Sequence, residues 1–109
     1  MISLHGNAAS NGIWSNATGW EVWTTTATTN SDRFADIMCK VFPRIFPNEK
    51  LRGHKQKDFT LLYKTNCPCV LTENFFYDSK KDLALITSEE GFKRIVDLHI
   101  ESIKEWIKL

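Results

Sequence analysis

The stretch Cys67-Pro68-Cys69-Val70-Leu71-Thr72-Glu73-Asn74-Phe75-Phe76 constrains the fold of this chain more than any other. A proline turn leads into Val70 and Leu71, the pattern of a short buried strand. The strand then runs into three polar residues, Thr72, Glu73 and Asn74, before an aromatic pair. A strand buried on both faces belongs in an α/β sheet, and such sheets bind ligands in the crevice outside the carboxyl ends of their strands. Glu73 therefore has two readings: a carboxylate facing a crevice, or a strand end meeting solvent.

The rest of the chain supplies the partners for such a strand. Met1 to Leu4 is a short apolar run followed at once by His5-Gly6-Asn7. His5 thus repeats the placement of Glu73, and is either a ligand or a satisfied structural histidine. Gly19-Trp20-Glu21-Val22-Trp23-Thr24-Thr25 reads as a strand with Trp20 and Val22 on one face and Trp23 on the other. Asn30 or Ser31 can cap a helix with Asp32 in its first turn. Phe34, Ile37, Met38, Val41, Phe42 and Ile45 then form an amphipathic stripe, which Pro43 should stop or kink near Val41 or Phe42. Residues 47–58 are polar and basic, either a solvated loop or a rim touching an anionic ligand. Phe59 to Tyr63 reads as a further strand, and Thr65-Asn66 as the turn after it.

Beyond the central stretch, residues 78–82 read as a turn with too little apolar character to pack. Thr87 and Glu90 have capping-box spacing. A second stripe follows through Phe92, Ile95, Val96, His99, Ile103, Trp106 and Ile107, widened by Ile100. His99 falls on that apolar face and reads as a core histidine. Asn16-Ala17-Thr18 matches a glycosylation sequon, a triplet common by chance. Strand, strand, helix, strand, strand, long helix implies an α/β domain. The expectation is one domain over residues 1–109, with a mixed sheet of about four short strands and two main helices packed on it.

Composition narrows the function. A net charge of +1 offers no basic surface for nucleic acid or an anionic membrane. No apolar run approaches the ~20 residues of a membrane span, and no signal-peptide pattern opens the chain. The 3 cysteines form no disulfide framework, because Cys67 and Cys69 are separated by Pro68 alone. They also lack zinc-site spacing, and all three read as small packing residues.

Four blocks, in order, resemble the zinc-dependent N-acetylmuramoyl-L-alanine amidases, the family of bacterial autolysins, cell-division amidases and phage lysins. Ser3-Leu4-His5-Gly6-Asn7-Ala8 looks like S-[IL]-H-x-N-A, and Gly19-Trp20-Glu21-Val22-Trp23 like the following G-x-E-V strand. Arg52-Gly53-His54-Lys55 with Phe59-Thr60-Leu61-Leu62 looks like R-G-x-K and F-x-V-L. Pro68-Cys69-Val70-Leu71-Thr72-Glu73 with Phe76 looks like P-A-V-L-[VT]-E-x-x-F. The resemblance implies that His5 is a zinc ligand and Glu73 the catalytic carboxylate. The implied reaction cuts the bond between N-acetylmuramic acid and the L-alanine of peptidoglycan, in the cell envelope or outside the cell.

The resemblance also implies a shortfall. The family completes its zinc with a second histidine and a glutamate ahead of the block matched by Ser3 to Ala8. This chain opens directly on that block, as the C-terminal half of a larger catalytic domain would. Neither His54 nor His99 matches a ligand position. The expectation is weak zinc binding, little amidase activity alone, and association into a homo-oligomer through surface left exposed by truncation. Only Pro43 to Asp58 occupies the interval where some cell-division amidases carry a regulatory helix, which points to an uninhibited hydrolase or lysin. The competing reading is a non-catalytic remnant that binds cell-wall glycopeptide or a protein partner.

Overall fold

In the computed structural model, which describes residues 1–26, 29–58 and 67–108, four strands form one mixed sheet. They are β1 (Ile2–Asn7), β2 (Trp20–Thr24), β3 (Leu51–Gln56) and β4 (Val70–Phe76), in the order β1-β4-β2-β3. β4 is central, parallel to β1 and antiparallel to β2, while β3 runs parallel to β2 on the far edge. Three helices accompany the sheet: α1 (Asn30–Ile45), α2 (Lys80–Thr87) and α3 (Glu89–Ile107). Among the described residues, no helix is long and apolar enough to cross a membrane.

The sheet is mixed and four-stranded, as expected, but one strand differs. β3 is built from the basic segment Leu51–Gln56, which the sequence suggested was loop or rim. Its polar composition is tolerated because its side chains find partners, Arg52 on Glu21, His54 on Thr24 and Asp36, and Gln56 on Asp32. The expected strand at Phe59 to Tyr63 lies outside the described residues.

α1 matches its stripe, with Phe34, Met38, Val41 and Phe42 buried. Its cap is Thr29 rather than Asn30 or Ser31. Thr29 Oγ1 accepts from the Ser31 amide at 3.1 Å, and the Thr29 amide donates to Asp32 at 3.0 Å. The Ser31 hydroxyl instead accepts from the Cys69 amide at 2.9 Å, joining the start of α1 to the start of β4. Pro43 lies inside the helix, which runs on to Ile45. The Phe46 amide closes the last turn on the Phe42 carbonyl at 2.8 Å.

α1 lays its stripe on β2 and β4. Trp20 stacks on Phe42 at 5.5 Å, Phe42 on Phe46 at 5.3 Å, and Phe46 meets Phe75 edge-on at 5.1 Å. Each such fully buried ring contributes about 1.5–3 kcal/mol from apolar burial alone. Phe75 reaches this cluster from a left-handed backbone, φ 69°. That conformation coincides with a register shift, at which Asn74 and Phe75 stand against the single residue Gly6 of β1.

The segment expected to be an unpacked turn is a structural hub. Asp82, in the first turn of α2, is fully buried. Its carboxylate accepts from Thr18 Oγ1 at 2.6 Å, the Gly19 amide at 3.1 Å and the Phe76 amide at 3.0 Å. Gly19 itself is obligatory, since its φ is 118° and a Cβ there would stand 2.8 Å from the Lys50 carbonyl oxygen. α3 is capped by Ser88, not Thr87; its hydroxyl accepts from the Gly91 amide at 2.9 Å. The Thr87 hydroxyl donates back to Leu83 instead.

The α3 stripe is rotated from expectation. Its fully covered positions are Gly91, Leu98, His99 and Ser102, whereas Phe92, Val96, Ile100, Ile103 and Ile107 are exposed. The cysteines divide as well. Cys69 is buried and Cys39 half-buried, but Cys67 is exposed in the turn before β4, its sulfur 3.7 Å from the Met1 amino group.

Candidate functional site

Strand register places three chemically capable side chains in one row. His5 of β1 is directly opposite Glu73 of β4, and Glu73 is directly opposite Glu21 of β2. Residues opposite one another across a ladder point to the same face of the sheet. That face is the one turned away from the helices. Thr72, the neighbour of Glu73, donates or accepts at 3.0 Å with His99 on α3, and so marks the opposite, helix-covered side.

Glu73 is half-buried, and its Oε2 is fully covered with no hydrogen-bond partner among the described residues. Its pKa is raised, first by burial, which disfavours the charge; His5 opposes the shift and Glu21 adds to it. A half-buried carboxyl with a raised pKa and a bare oxygen is suited to take up and release a proton.

Glu21, by contrast, is saturated. Its Oε1 accepts from Arg52 Nε at 2.7 Å and Asn7 Nδ2 at 3.2 Å. Its Oε2 accepts from Trp23 Nε1 at 2.6 Å and lies 3.4 Å from Lys55 Nζ. Arg52 also sits over the Phe76 ring at 5.0 Å, and Lys55 over the Trp23 ring at 5.7 Å. Arg52 and Lys55 of the basic segment are therefore turned inward on the sheet as counter-charges for Glu21.

His5 is exposed, with Nε2 2.9 Å from Ser3 Oγ. When Ser3 accepts from Nε2–H, the Nδ1 lone pair is the one left for a metal. Its backbone is held by Asn74, whose amide nitrogen donates to the His5 carbonyl at 3.1 Å and whose oxygen accepts from Trp20 Nε1 at 2.9 Å. Asn74 Nδ2 also donates to Thr72 Oγ1 at 3.1 Å. One buried amide thus ties β1, β4 and β2 together directly behind the His5–Glu73 pair.

The other two histidines face the helices. His99 is buried, and its Nδ1 donates to the Ile95 carbonyl at 2.7 Å, as a satisfied core histidine does. His54 meets Thr24 at 2.7 Å and Asp36 at 3.0 Å. Among the described residues, no three His, Cys, Asp or Glu side chains come close enough to hold a metal. This chain offers one imidazole ligand on the open face, and that is short of the three protein groups a catalytic zinc needs.

Sequence reading missed Glu21, Asn74 and Asp82. Glu21 had a usable signal: a carboxylate between Trp20 and Val22 in a buried strand demands a cation. Asn74 and Asp82 act through long-range contacts that local pattern does not encode.

A family model described as N-acetylmuramoyl-L-alanine amidase matches residues 1–105. An endolysin of Bacillus phage SPP1 is 38% identical over 60 residues, 55% of this chain and 22% of that protein. The N-acetylmuramoyl-L-alanine amidase from Clostridium difficile 630 superposes with a TM-score of 0.87 at 24% identity, over 98% of this chain and 56% of its own. AmiC2 of Nostoc punctiforme, also an N-acetylmuramoyl-L-alanine amidase, gives 0.86 at 19%, over 99% and 57%. The catalytic domain of the CD27L endolysin, targeting Clostridia difficile, gives 0.65 at 29%, over 92% and 53%. The chain spans little more than half the length of these structures and about a fifth of the phage protein.

Proposed function

Because this chain belongs to the N-acetylmuramoyl-L-alanine amidase family, we propose that it forms the glutamate-bearing part of a peptidoglycan amidase acting in the cell envelope or outside the cell. The bond cut would be the amide between N-acetylmuramic acid and L-alanine. The observation that carries this reading is the bare, covered Oε2 of Glu73 directly across the ladder from His5.

Glu73 is the general acid and base. Burial holds its pKa above the usual carboxylate range, so it accepts the proton of the water attacking the amide carbon. It then delivers that proton to the leaving L-alanine nitrogen, which restores the carboxylate. His5 is one zinc ligand, oriented by Ser3 at its ring and by Asn74 at its carbonyl. Zinc held by His5 and by groups beyond the described residues would supply Lewis-acid polarisation of the carbonyl and a lowered pKa for water. Glu21 keeps Asn7, Trp23, Arg52 and Lys55 in place beside Glu73 and remains a positioning residue.

The test is release of free stem peptides from purified sacculi by the longest natural protein carrying this chain. Glu73→Gln should lower the rate by roughly 10²–10⁴, the usual share of a general acid–base group, and chelator should abolish release. Undiminished release by the Glu73→Gln protein would remove Glu73 from the chemistry. Release indifferent to chelator would remove zinc and the role of His5. Binding to sacculi without any release would leave the non-catalytic reading.

A further inference from the structure

Two aromatic rings stand exposed at the carboxyl ends of β1 and β4, the strands that carry His5 and Glu73. Trp14, on the loop that leaves β1, is 56% exposed, and Tyr77, the residue after β4, is 53% exposed. Single exposed apolar residues are ordinary on a protein surface, so exposure alone assigns nothing to either ring. These two are set apart by how firmly their backbone is held and by what joins them.

Asp78 closes the Trp14 loop from both sides. Its Oδ2 accepts from the Ala9 and Ser10 amides, each at 2.8 Å, and its carbonyl accepts from the Ser15 amide at 2.8 Å. Ser10 Oγ donates to the Ile13 carbonyl at 2.6 Å, directly before Trp14. Lys80 Nζ, from the start of α2, stands 5.5 Å over the Trp14 ring. Tyr77 is fixed through its amide, which donates to the Asn7 carbonyl at 2.9 Å. Its ring lies against Gly6, where a Cβ would meet Tyr77 Cδ1 at 3.4 Å. Gly6 follows His5, so the contacts run from the Trp14 loop through Asp78 and Tyr77 to the strand of the zinc-ligand candidate.

A cleft of about 380 Å³ opens beside Trp14, lined also by Ser15, Asn16, Thr18, Ser79 and Lys80. That volume falls within the ~300–1,000 Å³ of small-ligand sites. A flat indole beside hydroxyl, amide and ammonium groups matches a sugar ring, whose C–H bonds form an apolar face and whose rim bears hydroxyl and N-acetyl groups. A short stem peptide offers no such flat face. Rings on a backbone ordered before the ligand arrives also lose little freedom on binding. We propose that Trp14 and Tyr77 form a glycan subsite, on which N-acetylhexosamine rings of the peptidoglycan strand stack at the ends of the strands that carry His5 and Glu73. This subsite rests on the peptidoglycan reading and gives it the residues that hold the sugar side of the scissile amide.

The 109-residue chain is titrated with a soluble trimer of N-acetylglucosamine and, separately, with free stem peptide, and the indole N–H signals are followed by NMR. The trimer should shift the Trp14 signal and leave that of the buried Trp20 in place. Trp14→Ala should weaken trimer binding roughly tenfold and Tyr77→Ala several-fold, with far-ultraviolet dichroism unchanged, and Trp14→Tyr should restore most of the loss. Release of stem peptides from sacculi by the longest natural protein carrying this chain is measured independently. Trimer binding at Trp14 without any release would uphold the subsite while removing the amidase reading. No binding of the trimer, a Trp14 shift with stem peptide alone, or trimer binding that Trp14→Ala and Tyr77→Ala leave unchanged would overturn the subsite, whatever the release assay shows.

Discussion

Asp82 is the residue whose removal should cost this fold most for its size. Its fully buried carboxylate serves two backbone amides and one hydroxyl, those of Gly19, Phe76 and Thr18. Asp82→Ala leaves both amides without an acceptor in a dry site. Each such orphaned group costs about 1–3 kcal/mol, and the lost hydroxyl contact roughly 1 more. The better helix propensity of alanine returns only a few tenths. The expected loss is therefore about 2.5–6.5 kcal/mol, a large part of the ~5–15 kcal/mol that stabilises an ordinary domain. Urea unfolding followed by fluorescence of the buried Trp20 reads it out. At a slope of about 2 kcal/mol per molar urea, the midpoint should fall by roughly 1–3 M. Thr18→Val, which removes the hydroxyl alone, should lower it by about a third of that. If Asp82→Ala moved the midpoint no further than Thr18→Val, the amide contacts would not be carrying the load assigned to them.

Three further outcomes are expected. Burial lowers the pKa of His99 while its contact with the Ile95 carbonyl works the other way, so the folded state favours the neutral ring. The stability this contributes is complete above the unfolded value of ~6.5 and declines as pH falls toward the lowered folded value, by no more than about 1.4 kcal/mol per pH unit. Urea midpoints from pH 8 to 5 should show the decline, and His99→Gln should flatten it; an unchanged slope in that variant would assign the effect elsewhere. Gly91→Ala should destabilise by about 1–3 kcal/mol despite the helical position, because a Cβ there would stand 1.8 Å from the Leu85 carbonyl oxygen. A melting temperature at or above the parent's would contradict that contact. Cys67 should be alkylated first at pH 8, being exposed, while burial and the nearby Asp36 push the Cys39 thiol up to about 11. Mass spectrometry of partially labelled protein showing Cys39 modified first would refute this order.

The elements legible in the sequence are those whose burial has a simple period. β2 and α1 have apolar residues at fixed spacing, and they lie where that spacing put them. β3 was hidden because an edge strand of Arg52, His54, Lys55 and Gln56 draws its partners from Glu21, Thr24, Asp32 and Asp36 rather than from apolar alternation. α2 was hidden because its innermost residue is an aspartate. On α3 the stripe was wider than the surface available to cover it, and periodicity does not say which side of a wide stripe has a neighbour. In the site, resemblance singled out His5 and Glu73. Their direct opposition, and the ring of donors around Glu21, are properties of register, which depends on pairings between residues far apart in the chain.

The central position of β4 has a kinetic consequence. The Asn74–His5 hydrogen bond joins residues 69 apart in sequence, so β1 can dock only after most of the chain has been brought round to meet it. Loop-closure entropy of that size precedes any reward from the ladder, and non-local parallel pairing is intrinsically slow. Among the described residues β1 is held on one side only, so it is also a strand easily lost in a partial opening. Such an opening would part His5 from Glu73 while the Trp20–Phe42–Phe75 cluster stayed closed. Glu73 belongs to the body of the sheet, and His5 to the last strand on and the first strand off.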